Sequence, residues 1–109
     1  MNSKSPSAVE REILRPLWKV HILHHAGEAP IVAHWMMEEL REHGYRVSPG
    51  TLYPMMARMT ATGWLKQTAD KRYQLTARGR KALTEVLARL KELQGEALPP
   101  EAHKATPRH

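Results

Sequence analysis

Ser48, Thr51, Tyr53 and Arg58 share the stretch Val47–Met59 with the apolar residues Leu52, Met55, Met56 and Met59. Apolar positions three and four apart make one face of a helix. The four polar residues then fall largely off that face. Small polar groups at a helix's amino end can approach base edges, and a cation further along can hold phosphate. Ser48 can cap such a helix, and Pro49 suits its first turn. Gly50 removes bulk at the same end. A second group, Lys71 and Arg72, stands at a short turn over Thr68–Lys71, where it could reach phosphate or a minor groove. Any hairpin tip is polar, so a solvated turn is the plainer alternative.

Histidines make the third group. His21 with His24 or His25 has the spacing that puts imidazoles on one helical face, as a divalent metal needs. His34 lies near them in sequence, and Glu28 or Glu38 could complete a shell. The same residues could equally be hydrogen-bonded surface or interface histidines, or a pH-sensitive patch. Cys is absent. That excludes disulfides, thiolate zinc sites, iron–sulfur clusters and a Cys nucleophile, and it fits a reducing cytoplasm. There is no phosphate loop, no G-x-S-x-G, no H-E-x-x-H and no paired acidic motif, so an enzyme is not expected.

The charge distribution supports the first two groups. Of 109 residues, 17 are Lys or Arg and 11 Asp or Glu, a net charge of +6. From Arg41 to Lys81 nine basic residues face only Glu42 and Asp70, so this stretch carries +7. Such a stretch is either a solvated face or a footprint for nucleic acid. The start, MNSKSPSAVEREIL, shows no apolar signal region, and no run of about 18 apolar residues could span a membrane. A single cytoplasmic domain is expected.

These groups must be positioned by four helices and a hairpin. A first helix is expected over Ala8–Ala26 with Ile13, Leu14, Leu17, Trp18 and His21 as its stripe, disturbed at Pro16 and ended by Gly27. A second begins at Pro30 and runs to His43, with Ile31, Trp35, Met36 and Leu40 inward, before Gly44. The third, opened by Ser48-Pro49, ends at Gly63. Trp64–Thr68 and Arg72–Thr76 alternate like strands. Thr76 caps a last helix reaching Gln94 or Ala97. In that helix Leu83, Val86, Leu90, Leu93 and Ala97 follow a 3-4-3-4 seam widened by Leu87. At ~30 Å for about 20 residues it outruns a small domain, so it is expected to pair with a second copy, together with helix one. The fold class is mainly α with a small β-hairpin. It is a winged helix-turn-helix over residues 8–76 with a C-terminal dimerisation helix over 77–97, between flexible tails at 1–7 and 98–109.

The run Val47-Ser48-Pro49-Gly50-Thr51-Leu52-Tyr53-Pro54, followed by Gly63-Trp64-Leu65, resembles the PadR family of bacterial transcriptional regulators. Tyr73-Gln74-Leu75-Thr76, Gly79 and Lys81-Ala82-Leu83 are similar to a second signature of that family. The similarity covers about Glu12–Leu90. Ala33-His34 stand where the family usually has Gly-Tyr, Ala57 replaces a basic residue, and the wing is clipped to Ala69-Asp70-Lys71. A single C-terminal helix resembles the smaller subgroup. The resemblance implies a homodimer on roughly palindromic double-stranded operator DNA, with Tyr53 facing the DNA. It also implies a repressor, released by a small-molecule or other effector between protomers. Trp18, Trp35 and Met36 could line such a pocket, or be core residues. No cofactor is required on this reading, though an effector or divalent metal is possible. The alternatives are a metal-responsive repressor of the same fold and a protein-interaction winged helix without an operator.

Overall fold

The computed structural model describes residues 6–98. The tails expected at 1–7 and 98–109 lie outside the described residues except for Pro6, Ser7 and Leu98. Ser7 is no part of a tail. Its hydroxyl accepts from the Glu10 amide while the Glu10 carboxylate accepts from the Ser7 amide, both at 3.1 Å. This reciprocal capping box starts the first helix.

That helix opens with a π-helical segment, Glu10–Leu14, and continues as α1, Arg15–Glu28. The Arg15 amide donates to the Glu10 carbonyl five residues back. Pro16 has no amide to donate, so it falls in the first turn of α1, where the loss is least. The wider turn breaks the expected 3-4 stripe. Trp18, Ile22, Leu23 and Ala26 face the core, whereas Ile13 is left 62% exposed. Nor does Gly27 end the helix, which runs on to Glu28. A Cβ at Gly27 would lie 3.0 Å from the Leu75 side chain and 3.1 Å from Arg80, so this glycine is a packing residue.

α2 spans Ala33–Glu42 and α3 Pro49–Thr62. The start of α2 lies later than Pro30 for a visible reason. Ile31 exchanges both backbone hydrogen bonds with Tyr73, at 2.9 and 2.7 Å, so its backbone is extended and its carbonyl, which a helix from Pro30 would offer to the Trp35 amide, serves the sheet instead. The hairpin strands are β1, Leu65–Gln67, and β2, Tyr73–Leu75, antiparallel with Leu65 opposite Leu75 and Gln67 opposite Tyr73. Each is a residue shorter at both ends than its pattern suggests. Gly63 ends α3 at φ 95°, a left-handed conformation that favours glycine.

α4 spans Ala77–Ala97. The Thr76 hydroxyl caps it, accepting from the Gly79 amide at 2.9 Å and donating to the Gly63 and Trp64 carbonyls. Only Gly79 and Leu83 of α4 are buried. The core lies between α1, α2, α3 and the hairpin. It is rich in methionine: Met36, Met37, Met55, Met56 and Met59 pack with Leu40, Leu52 and Leu65.

Candidate nucleic-acid interface

The α2–α3 connection sets the angle of the third helix. Arg41 on α2 donates from Nε and Nη2 to the Val47 carbonyl, at 3.2 and 2.9 Å. It also pairs with Glu38 at 3.5 Å. Val47 itself is buried. The residue just ahead of the cap position is therefore held from both its side chain and its backbone. Ser48 takes the cap position, as its type suggests, but its hydroxyl caps nothing. It donates to Thr51 Oγ1 at 3.2 Å, while the Ser48 carbonyl accepts from the Thr51 and Leu52 amides.

Leu52, Met55, Met56 and Met59 fill the buried face of α3, and Ser48, Pro49, Gly50, Tyr53 and Arg58 are exposed. Tyr53 keeps 40% of its surface in solvent. Nothing lies within 4 Å of a Cβ built on Gly50, and its φ is unremarkable, so the fold makes no demand for glycine there. Arg15, Arg41 and Arg46 line a hollow of about 540 Å³ beside Ser48 and Thr51. Arg15 stands under the cluster with its guanidinium over the Trp18 ring at 5.7 Å and its buried Nε without a hydrogen-bond partner. Sequence reading missed Arg15 because it belongs to α1, far from the basic stretch.

At the hairpin tip the two cations part company. Arg72 Nε donates to Asp70 at 3.1 Å. Thr68 donates to the same carboxylate, and these bonds hold Asp70 below the usual carboxylate range, the Thr68 bond first. Lys71 sits at φ 65° in the left-handed region, exposed, with no ion pair among the described residues. Lys71 is thus the cation the turn presents outward, and Arg72 is partly neutralised by its neighbour.

Of the expected effector residues, Trp18 and Met36 join one buried cluster and Trp35 stands outside it. Met36 is fully buried and Trp18 is 2% exposed, so both are core. Trp35, one residue round the helix from Met36, faces outward into a separate hollow with His25, Ile31 and Arg72. The expected metal residues divide as well. His34 stays apart, 3.9 Å from Glu38. His21 and His25 meet His43, which the sequence reading did not include, and His24 and His25 meet Glu28. Along the expected seam, Leu83 is buried, Val86 and Leu90 are half-buried, and Leu87 and Leu93 are exposed at 48% and 56%. Leu17, Val20, His21, His24, Tyr45, Leu87 and Leu90 line one apolar groove between α1 and α4.

A buried-face helix with a polar exposed amino end, followed by a short two-stranded wing, is matched by known proteins. Residues 22–85 match the family model described as the transcriptional regulator PadR-like family. The chain belongs to the PadR-like family of transcriptional regulators. It is 44% identical over 102 residues to the Mycobacterium tuberculosis transcriptional regulator Rv3488, covering 87% of this chain and 95% of that protein. Among solved structures it is similar to a PadR-like transcription factor from Bacteroides fragilis. The TM-score is 0.67 at 26% identity, over 83% of this chain and 95% of that one. It is similar also to a PadR family regulator from Eggerthella lenta, with a TM-score of 0.67 at 27% identity, over 79% of this chain and 82% of that one. The winged-helix fold and the regulatory class read from VSPGTLYP are therefore right. Like its relatives, this PadR-like chain is a regulator of transcription rather than an enzyme. No helix among the described residues is long and apolar enough to cross a membrane.

Proposed function

We propose that this PadR-like regulator is a cytoplasmic homodimeric repressor that reads a roughly palindromic operator with the amino end of α3. The observation that carries the reading is that end itself. Ser48, Gly50 and Tyr53 are exposed there and Thr51 is half-buried beside Ser48, and the fold uses neither the smallness of Gly50 nor the bulk of Tyr53. Small residues there let a backbone approach base edges in the major groove. Thr51 and Tyr53 contact bases or the adjoining backbone, and Arg58 and Lys71 neutralise phosphates on either side. Arg72, tied to Asp70, contributes less.

Dimerisation follows from α4. Past Leu83 it carries Leu87, Leu90 and Leu93 with little of its own chain to cover them, and the groove with Leu17 and Val20 continues that apolar strip. A second copy laid along α4 and α1 buries it, as a seam with this spacing does. Two copies of α3 related by a two-fold axis require half-sites a whole number of turns apart, ~34–36 Å per turn. Occupying the operator blocks transcription. An effector lodged between protomers changes the distance between the two α3 helices and releases the DNA. The test is selection from random duplexes with the full chain, followed by a mobility-shift titration. An enriched inverted repeat bound as a dimer is expected. Enrichment of no sequence overturns the reading in favour of a protein-docking module.

A further inference from the structure

We infer that His21, His25, Glu39 and His43 form a binding site for a divalent transition metal of the zinc class, fastening α1 to the end of α2. His21, His25 and His43 offer ligand atoms that all lie within 4.8 Å of one another. Glu39 stands beside two of them, His25 and His43. Its Oε2 lies 3.4 Å from His25 Nε2 and 3.2 Å from His43 Nε2. Ligand arms of ~2.0–2.1 Å arranged tetrahedrally stand about 3.3 Å apart. The two carboxylate–imidazole separations, the one to His43 a hydrogen bond in the metal-free chain, therefore already match a tetrahedron's edges. Three neutral nitrogens and one carboxylate are a donor set that suits zinc, cobalt or nickel rather than magnesium or calcium.

The surroundings fit a site rather than a chance surface cluster. Glu39 and His25 are mostly buried, with side chains 22% and 15% exposed. Tyr45 Oη and His21 Nε2 lie 3.0 Å apart and share a hydrogen bond, which fixes that ring. The His21 and His43 rings are 5.1 Å apart, and Trp35 braces His25 edge-on at 5.2 Å. The residues come from two elements, His21 and His25 one turn apart on α1, Glu39 on α2 and His43 just past its end. A metal here joins the helix that lines the α1–α4 groove to the helix whose Arg41 holds the start of α3. His24, His25 and Glu28 form a competing group, but it lies on a single helix and is more exposed.

The test is calorimetric titration of the metal-free full chain with zinc chloride, and cobalt chloride followed in the visible. We expect one saturable zinc per chain, a raised melting temperature, and the intense visible bands of tetrahedral cobalt. His43→Gln and His21→Gln should each weaken zinc about tenfold or more, since even a residue that only supports a ligand is worth that much. His43 is exposed, so its variant should melt like the parent when metal-free. His24→Gln and His34→Gln should bind as the parent does. Absence of saturable zinc binding overturns the inference. So does zinc binding that survives His43→Gln and is lost in His24→Gln, which assigns the metal to the single-helix group. None of these readouts involves DNA, so they stand apart from the operator reading.

Discussion

Tyr53 is an exposed aromatic on a helix whose other large apolar residues are buried, and its side chain contributes little to the core. Its value must come from outside the chain. We expect Thr51→Ala and Tyr53→Ala to leave the melting temperature unchanged and to weaken operator binding by ~1–3 kcal/mol each. Equal affinity for parent and variant in a mobility-shift titration contradicts that role. Arg58 and Lys71 are proposed to act differently, on phosphates. A phosphate contact releases counterions, so removing one should make log affinity against log salt shallower by about 0.9. Arg58→Ala and Lys71→Ala should therefore weaken random DNA as much as operator DNA. A variant that keeps the parental slope but prefers a new sequence has lost a base reader. Arg72→Ala should change the slope less than Lys71→Ala, because Asp70 already offsets its charge.

At the scale of elements, the joint between the hairpin and α4 is the tightest. A Cβ on Gly79 would lie 2.1 Å from the Trp64 carbonyl oxygen and 2.7 Å from the Leu75 side chain. Backbone cannot yield as a flexible side chain can, so Gly79→Ala should destabilise the fold by about 1–3 kcal/mol or more. Thermal melts measure it, and an unchanged melting temperature would show that α4 packs on the hairpin differently. The wing moves with this joint, so the variant's salt slope should also fall. What the sequence disclosed follows the same division. The inward face of α3, the Thr76 cap and the alternating strands are local patterns, and each is legible. The pairing of Ile31 with Tyr73 is not, because it joins residues far apart in the chain and overrides the helix signal of Pro30. Ser7 and Glu10 have capping-box spacing, a signal that was available in the Ser-x-x-Glu run. His43 and Glu39 join His21 and His25 only once α1 and α2 are packed, so spacing along the chain groups His21 and His25 with His24 and His34 and does not include His43 or Glu39. Trp18 and Met36 were ambiguous between core and pocket, and burial decides for core.

For the whole molecule, the proposed dimer needs two copies of α3 held at a fixed distance, and the exposed leucines of α4 are what can hold them. Leu87 is half exposed in the single chain, so Leu87→Arg should leave the monomer folded. In the seam it leaves an unpaired buried charge, costing about 3–5 kcal/mol of dimer stability. Sedimentation should show monomers at concentrations where the parent is dimeric, and operator affinity should fall with it. An unchanged dimer would move the interface elsewhere. The most direct test of the central claim is the bound sequence itself, selected by the full chain from random duplexes and footprinted at moderate salt. The account predicts an inverted repeat with half-sites one or two helical turns apart, ~34–36 Å per turn, whose protection is lost with Thr51→Ala and Tyr53→Ala together. A protein that enriches no sequence, or whose repeat is still recognised by that double variant, contradicts it.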